Sequence, residues 1–241
     1  MRISAPVFAV LVLVLSALPA DAVVGGRAAP VTPWAVALFD AAGNFFCGGA
    51  LIGPDKVVTA AHCTVERTAL GDRDRLPADL TVVAGRADLD AKDGRTAKVA
   101  GIWRHPAFTD VAAGDDVATL TLAAALPYRP VRVAEAVPGR TATVYGWGRT
   151  GELRAPSRTL RQVDVPIRSD AECAARVPDY RPDGMLCAGF PEGGRDACEG
   201  DSGGPLTVAG ELVGVVSYGR GCARPDQPGV YTRLSRYQDR I

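Results

Sequence analysis

From Val24 onward, short runs of apolar and often β-branched residues alternate with polar stretches punctuated by Gly, Pro and Asp. The first half carries WAVALFD (34–40), KVVTAA (56–61), LTVVAG (80–85), AKVAGIW (97–103) and VATLTL (117–122). The second carries ATVYGWG (142–148), RQVDVPI (161–167), GPLTV (204–208), ELVGVVSYG (211–219) and GVYTRL (229–234). Each run is too short for an ordinary helix and most are bounded by turn residues, so they read as strands. Many short strands at fairly even spacing predict an all-β sandwich or barrel. Helical spacing is scarce: residues 170–176, and a tail in which Leu234, Tyr237 and Ile241 fall on one face. The stretch 123–140, broken at Pro127 and Pro130, separates two strand groups of similar length and marks the expected domain boundary. The charged segment 71–77 reads as a solvated loop.

The first 22 residues have another pattern. Arg2 precedes an apolar run from Val7 to Leu18, which ends in Ala20-Asp21-Ala22. A basic start, a short apolar middle and a small-x-small site are the layout of a secretory signal peptide. The run is shorter than the roughly 20 residues that span a membrane, so an anchor is disfavoured. Export suits the six cysteines, an even number expected to pair as disulfides in one of 15 ways. A metal site is disfavoured, because there is no CxxC pair and there are only two histidines. With 27 basic and 27 acidic residues the chain is formally neutral, and neither nucleic acid nor an anionic membrane is an expected partner.

One stretch carries chemistry openly: DACEGDSGGP, residues 196–205. A serine such as Ser202 is a poor nucleophile without a base, and histidine is the side chain suited to that task. His105 lies in WRHPAF, which reads as a surface loop, whereas His62 follows a strand in VVTAAHC beside Cys63, a position better braced for catalysis. A carboxylate must orient the imidazole, and DDVATLTL offers Asp115 and Asp116, the latter abutting the apolar strand.

Together TAAHC (59–63), DDVATL (115–120) and DACEGDSGGP resemble the active-site signatures of trypsin-like serine proteases of the chymotrypsin family, in that family's order. The resemblance runs from Val23 almost to the end. It implies an all-β fold of two packed six-stranded antiparallel β-barrels, over 23–126 and 127–241, with a short C-terminal helix. It makes His62 the general base, Asp116 its orienting partner and Ser202 the nucleophile, with Asp115 a bystander. The backbone N–H groups of Gly200 and Ser202 would form the oxyanion hole. Asp196 would form the base of the specificity pocket and select Arg or Lys. Ser217, Tyr218, Gly219 and Gly229 would line its walls. Ala197, where many relatives carry serine, tilts the preference toward Arg. Glu199 at the entrance would disfavour acidic residues near the scissile bond, and Tyr218 replaces a usual tryptophan.

Asp201 would pair with the α-amine of Val23 in VVGG once that amine is freed. Ala22 stands where most relatives have Arg or Lys, so signal peptidase alone could expose Val23; cutting after Ala20 would leave a two-residue pro-segment. The disulfides implied are Cys47–Cys63, Cys173–Cys187 and Cys198–Cys222, each contributing about 3 kcal/mol through the unfolded state. Arg86, in Ala84-Gly85-Arg86, argues against the calcium site of digestive relatives, and no cofactor or metal is implied. The implied protein is a secreted monomer of bacterial type, acting on proteins or peptides and open to protein protease inhibitors. Two alternatives would use the same frame. A catalytically silent homologue acting as a binding protein is disfavoured by the complete triad, and a non-peptide esterase by the acidic pocket base.

Overall fold

The computed structural model describes residues 23–241; the leader expected over residues 1–22 lies outside the described residues. In chain order the strands are β1 (Arg27–Ala28), β2 (Ala35–Phe39), β3 (Phe45–Gly53), β4 (Lys56–Thr59), β5 (Val65–Thr68), β6 (Gly71–Asp74), β7 (Thr81–Ala84) and β8 (Arg95–Arg104). There follow β9 (Ala118–Leu122), β10 (Thr141–Gly146), β11 (Arg161–Pro166), β12 (Met185–Ala188), β13 (Pro205–Val208), β14 (Glu211–Tyr218) and β15 (Gly229–Arg233).

Six strands close a first barrel in the order β2-β3-β4-β9-β8-β7, every pair antiparallel. Its interior is filled by branched side chains such as Val36, Leu38, Leu51, Val57, Val82 and Leu120. The remaining strands, apart from the β5-β6 pair, form a sheet in the order β1-β11-β10-β13-β14-β15-β12. In β11 the alternation is complete: Arg161, Val163 and Val165 are buried, and the residues between them are half-buried, as a strand with one face on a core requires. This sheet curls on itself. Ile167, just past β11, bridges Ala188 of β12, and the Arg168 amide donates to the Cys187 carbonyl at 3.0 Å. The result is the second of two packed antiparallel barrels.

The barrels share a core of their own, where Ala50, Val58 and Val117 of the first meet Leu212, Val215 and Leu234 of the second. The connector after β9 stitches both: the Val131 amide donates to Leu51 O at 2.9 Å and the Ala134 amide to Leu212 O at 2.8 Å. The beginning of the described chain crosses over, because β1 pairs with β11 rather than with its sequence neighbours.

Some elements differ from the expected pattern. β3 and β12 were hidden in the sequence. Segment 71–77 is not a plain loop, since β6 pairs with β5 in a hairpin, although β6 is exposed throughout. The helix expected at 170–176 is α1 (Asp170–Ala174), started by a capping box in which Ser169 and Glu172 bond to each other's backbone amides at 2.9 and 3.3 Å. The C-terminal helix is one 3-10 turn, Leu234–Tyr237. Among the described residues no helix is long and apolar enough to cross a membrane.

Candidate active site

His62 sits on a 3-10 turn, Ala61–Thr64, that begins as β4 ends at the barrel junction. Cys63, next to it, is bonded to Cys47 on β3, which fixes the turn to the barrel wall. Asp116 precedes β9, the neighbour of β4, so antiparallel pairing brings the two segments together. The His62 amide donates to Asp116 Oδ1 at 2.9 Å, and His62 Nδ1 lies 2.8 Å from Asp116 Oδ2.

The Asp116 side chain is only 2% exposed. Burial pushes its carboxyl up. The His62 imidazole, and hydrogen bonds from His62 and Ser217, together outweigh burial and hold it below the ordinary value. An ionised carboxylate can only accept, so the Nδ1 bond places the proton of neutral His62 on Nδ1 and leaves Nε2 as the basic atom. Two further donors hold Asp116 from the second barrel: Ser217 Oγ to Oδ2 at 2.5 Å and Thr232 Oγ1 to its carbonyl at 2.6 Å. Asp115 turns away at φ 55° and accepts from Tyr237 Oη at 3.0 Å. His105 is half-buried rather than on the surface, packed edge-on between Trp103 and Tyr237.

Ser202 is held from both barrels. Its carbonyl accepts from Gly48 on β3 at 2.7 Å, and the next residue, Gly203, donates to Val216 on β14 at 2.8 Å. Gly203 has φ +74°, and a Cβ there would stand 2.1 Å from Thr59 Oγ1, so the turn requires glycine. Gly200, at φ +94°, lies with its Cβ direction 3.0 Å from Gly148 Cα. Among the described residues, neither the Gly200 nor the Ser202 amide donates to a backbone carbonyl outside the regular strands and helices, whereas the intervening Asp201 amide is bonded to Cys198 O at 2.9 Å. Gly200, Ser202 and His62 line one depression of about 470 Å³.

A second cavity of about 390 Å³ opens from the other side of Ser202 and is lined by Asp196, Ala197, Ser217, Tyr218, Gly219 and Gly229. Asp196 is 3% exposed. Burial pushes its carboxyl up to about 7, against the pull of the Ala197 and Ala223 amides and with the help of the nearby Asp201. Gly229 is required beside it, because a Cβ would lie 2.4 Å from Asp196 Oδ1. At the mouth, Glu199 is paired with Arg149, whose Nε lies 2.8 Å from Oε2. The Cys198–Cys222 bond joins opposite walls, and Cys173–Cys187 ties α1 to β12.

Asp201 is fully buried, and burial raises its carboxyl to about 7. It accepts from the Gly148 amide at 2.8 Å and the Cys198 amide at 2.9 Å, and no cationic side chain among the described residues pairs with it. Val23 is also fully buried, in the apolar cluster that contains Ala197, and Val24 bridges Asp196. Gly146 and Gly148 make room for Asp201, since Cβ atoms there would stand 1.9 and 2.6 Å from its carboxylate. Their role, and those of Ser217 and Thr232 around Asp116, escaped the sequence reading; the YGWG string was the one available hint.

Cys47, His62 and Cys63 form the one cluster of metal-binding residue types among the described residues, but the two sulfurs are bonded to each other. Arg86 ties its own loop together, donating from Nε to the Asp93 carbonyl at 2.7 Å.

Comparison with known proteins gives the family. The family model described as Trypsin matches residues 23–241. Over 224 residues the chain is 46% identical to a trypsin of Saccharopolyspora erythraea, covering 90% of this chain and 95% of that one. It is 37% identical over 227 residues to a trypsin of Squalus acanthias, covering 90% and 93%. It is also 37% identical over 232 residues to an anionic trypsin of Canis lupus familiaris, covering 92% and 88%.

Proposed function

The chain belongs to the trypsin family and is a trypsin-like serine endopeptidase, and from that premise we propose that it is secreted and cuts after Arg or Lys, with Arg favoured. The observation that carries the reading is the position of Ser202 between the His62–Asp116 couple and a cavity floored by the buried Asp196. A buried carboxylate without a protein cation favours a ligand that brings one, and a guanidinium can meet it with two parallel hydrogen bonds.

In this reading Ser202 Oγ attacks the scissile carbonyl carbon while its proton passes to His62 Nε2. Asp116 keeps the imidazole in the required tautomer and stabilises the imidazolium. The oxyanion is received by the Gly200 and Ser202 amides; losing one such donor costs about 3–4 kcal/mol of transition-state stabilisation. The C–N bond then breaks as His62 returns the proton to the leaving amine, leaving an acyl ester on Ser202. Water, deprotonated by His62, attacks that ester; the bond from carbon to Ser202 Oγ then breaks as His62 returns the proton to Oγ, which releases the acid and completes the cycle.

Asp201 supplies the link to processing. A buried carboxylate held by two amides alone is costly, and the α-amine of Val23 is the cation proposed to relieve it. Cleavage after Ala22 would then both release the leader and set the Gly200–Ser202 segment. The protein is proposed to work as a monomer on protein or peptide substrates and to be open to protein inhibitors. The three disulfides support an oxidising, extracellular setting.

The test is digestion of an unfolded, reduced protein substrate, with the new C-termini read by mass spectrometry and Ser202 titrated with a serine-directed phosphonate. C-termini that are mainly Arg, then Lys, with one phosphonate per active molecule on Ser202, are expected. Aromatic or unselective C-termini would remove Asp196 from its role, and labelling elsewhere would remove Ser202.

A further inference from the structure

Residue 152 lies in the loop between β10 and β11, remote in sequence from the pocket, yet its side chain lines the cavity floored by Asp196. Both carboxylate oxygens of Glu152 are used on the opposite wall. Oε1 accepts from the Cys222 amide at 3.0 Å and from Arg224 Nε at 2.6 Å, while Oε2 accepts from Arg224 Nη2 at 2.8 Å. The residue between those two grips is Ala223, which has a φ of 55°. That left-handed conformation is unfavourable for alanine and persists only where its surroundings impose it. Held there, Ala223 ties this wall to the pocket floor, because its carbonyl accepts from the Gly194 amide, two residues before Asp196, at 2.9 Å.

We propose that Glu152 is a positioning residue for the specificity pocket, gripping Cys222 and Arg224 so that the strained Ala223 between them stays tied to the segment that carries Asp196. The inference rests on Asp196 being the carboxylate that receives the substrate's cation. Neighbouring features fit the role. Gly221 has φ +78°, and a Cβ there would lie 2.3 Å from Glu152 Oε1, so the wall has glycine where the grip closes. The same loop is anchored on the other wall, where the Arg149 amide donates to Glu199 O at 2.8 Å and its side chain pairs with the Glu199 carboxylate. One loop therefore spans the pocket mouth and holds both sides. Hydrogen bonds from Arg224 and the Cys222 amide keep the Glu152 carboxyl down to about 2, so the grip persists throughout the neutral range. As a solvent-exposed ion pair it would add little to global stability, and its effect should be local.

The experiment uses the processed enzyme and two variants, Glu152→Ala and Glu152→Gln, with benzamidine as a small amidinium probe of Asp196. Glu152→Ala should weaken benzamidine binding and raise KM for an Arg amide by about 5- to 20-fold, the loss expected when a charge-assisted contact is removed. The kcat should stay within about twofold, as should kcat/KM for a neutral Ala amide, because the triad is untouched. Glu152→Gln should fall between, since its amide oxygen can still accept from Cys222. If Glu152→Ala does not fold, Arg224→Gln makes the same test from the other side of the grip. Unchanged benzamidine affinity and KM in folded variants would overturn the proposal. Failure of the wild type itself to bind benzamidine would instead overturn the assignment of Asp196, and this inference with it.

Discussion

Asp116 at the barrel junction and Asp196 on the floor of the adjoining pocket are both almost wholly buried, yet their carboxyl groups are displaced in opposite directions. The Asp116 carboxylate has an imidazole as partner, one hydroxyl donor and an amide, all from the same chain. Asp196 has backbone amides, a buried tyrosine and a second buried acid for neighbours. Burial is the first influence on each, and the partner decides the outcome. The His62–Asp116 couple is thus electrostatically complete within the fold. In the proposed function the pocket floor is completed by the cation that a substrate brings, and that would make it selective. Asp201 belongs with Asp196 in this comparison, with the Val23 amine as its proposed partner.

The comparison can be broken most forcefully at Asp116. Asp116→Asn keeps the shape but favours the wrong imidazole tautomer, and kcat should fall about 10⁴-fold, the general magnitude for Ser-His-Asp triads, with KM little changed. Steady-state kinetics on an Arg amide checks this, and a loss confined to KM would contradict the role. A smaller effect is expected from Asp196→Asn, read as stability. Asp196 titrates near 3.9 in the unfolded chain and at about 7 in the fold. Below both values each state holds the proton and burial of the charge costs nothing. Between them the unfolded chain ionises first, so stability falls as pH rises, and the loss is complete above about 7. Asp196→Asn should therefore gain up to about 4 kcal/mol over wild type at about pH 8, shrinking to nothing near pH 3.5, by denaturant unfolding. An equal difference at both pH values would show that the carboxyl charge is not its source. The smallest effect sharpens the Asp116 side: Ser217→Ala removes one donor to its carboxylate and should lower kcat by about 3- to 10-fold. An unchanged kcat would mean that His62 and its amide suffice.

The proposed catalytic residues were legible because their chemistry sits in contiguous strings, a serine among glycines, a histidine beside a cystine, an aspartate before a strand. What surrounds them was not, because it arrives from distant parts of the chain. Thr232 reaches Asp116 from 116 residues away, and Glu152 reaches Arg224 from 72. The strand signal was clear where branched residues alternate, as in β11, and absent in β3, where Gly48 and Gly49 interrupt the pattern. Those glycines answer to packing: a Cβ on Gly48 would lie 2.9 Å from Gly204 Cα, in the serine turn of the other barrel. β12 is only four residues between glycines, too brief for periodicity to register. The hairpin of β5 and β6 was masked by charge, since both its strands carry charged side chains and β6 faces solvent throughout.

Initial rates on matched peptide amides ending in Arg, Lys, Phe and Ala, for wild type and Ser202→Ala, test the central claim most directly. The account predicts fast turnover of Arg, then Lys, little of Phe or Ala, and the loss of all four in Ser202→Ala. A preference for Phe would contradict the assignment of Asp196, and equal rates in the processed wild type and Ser202→Ala would contradict the assignment of the nucleophile.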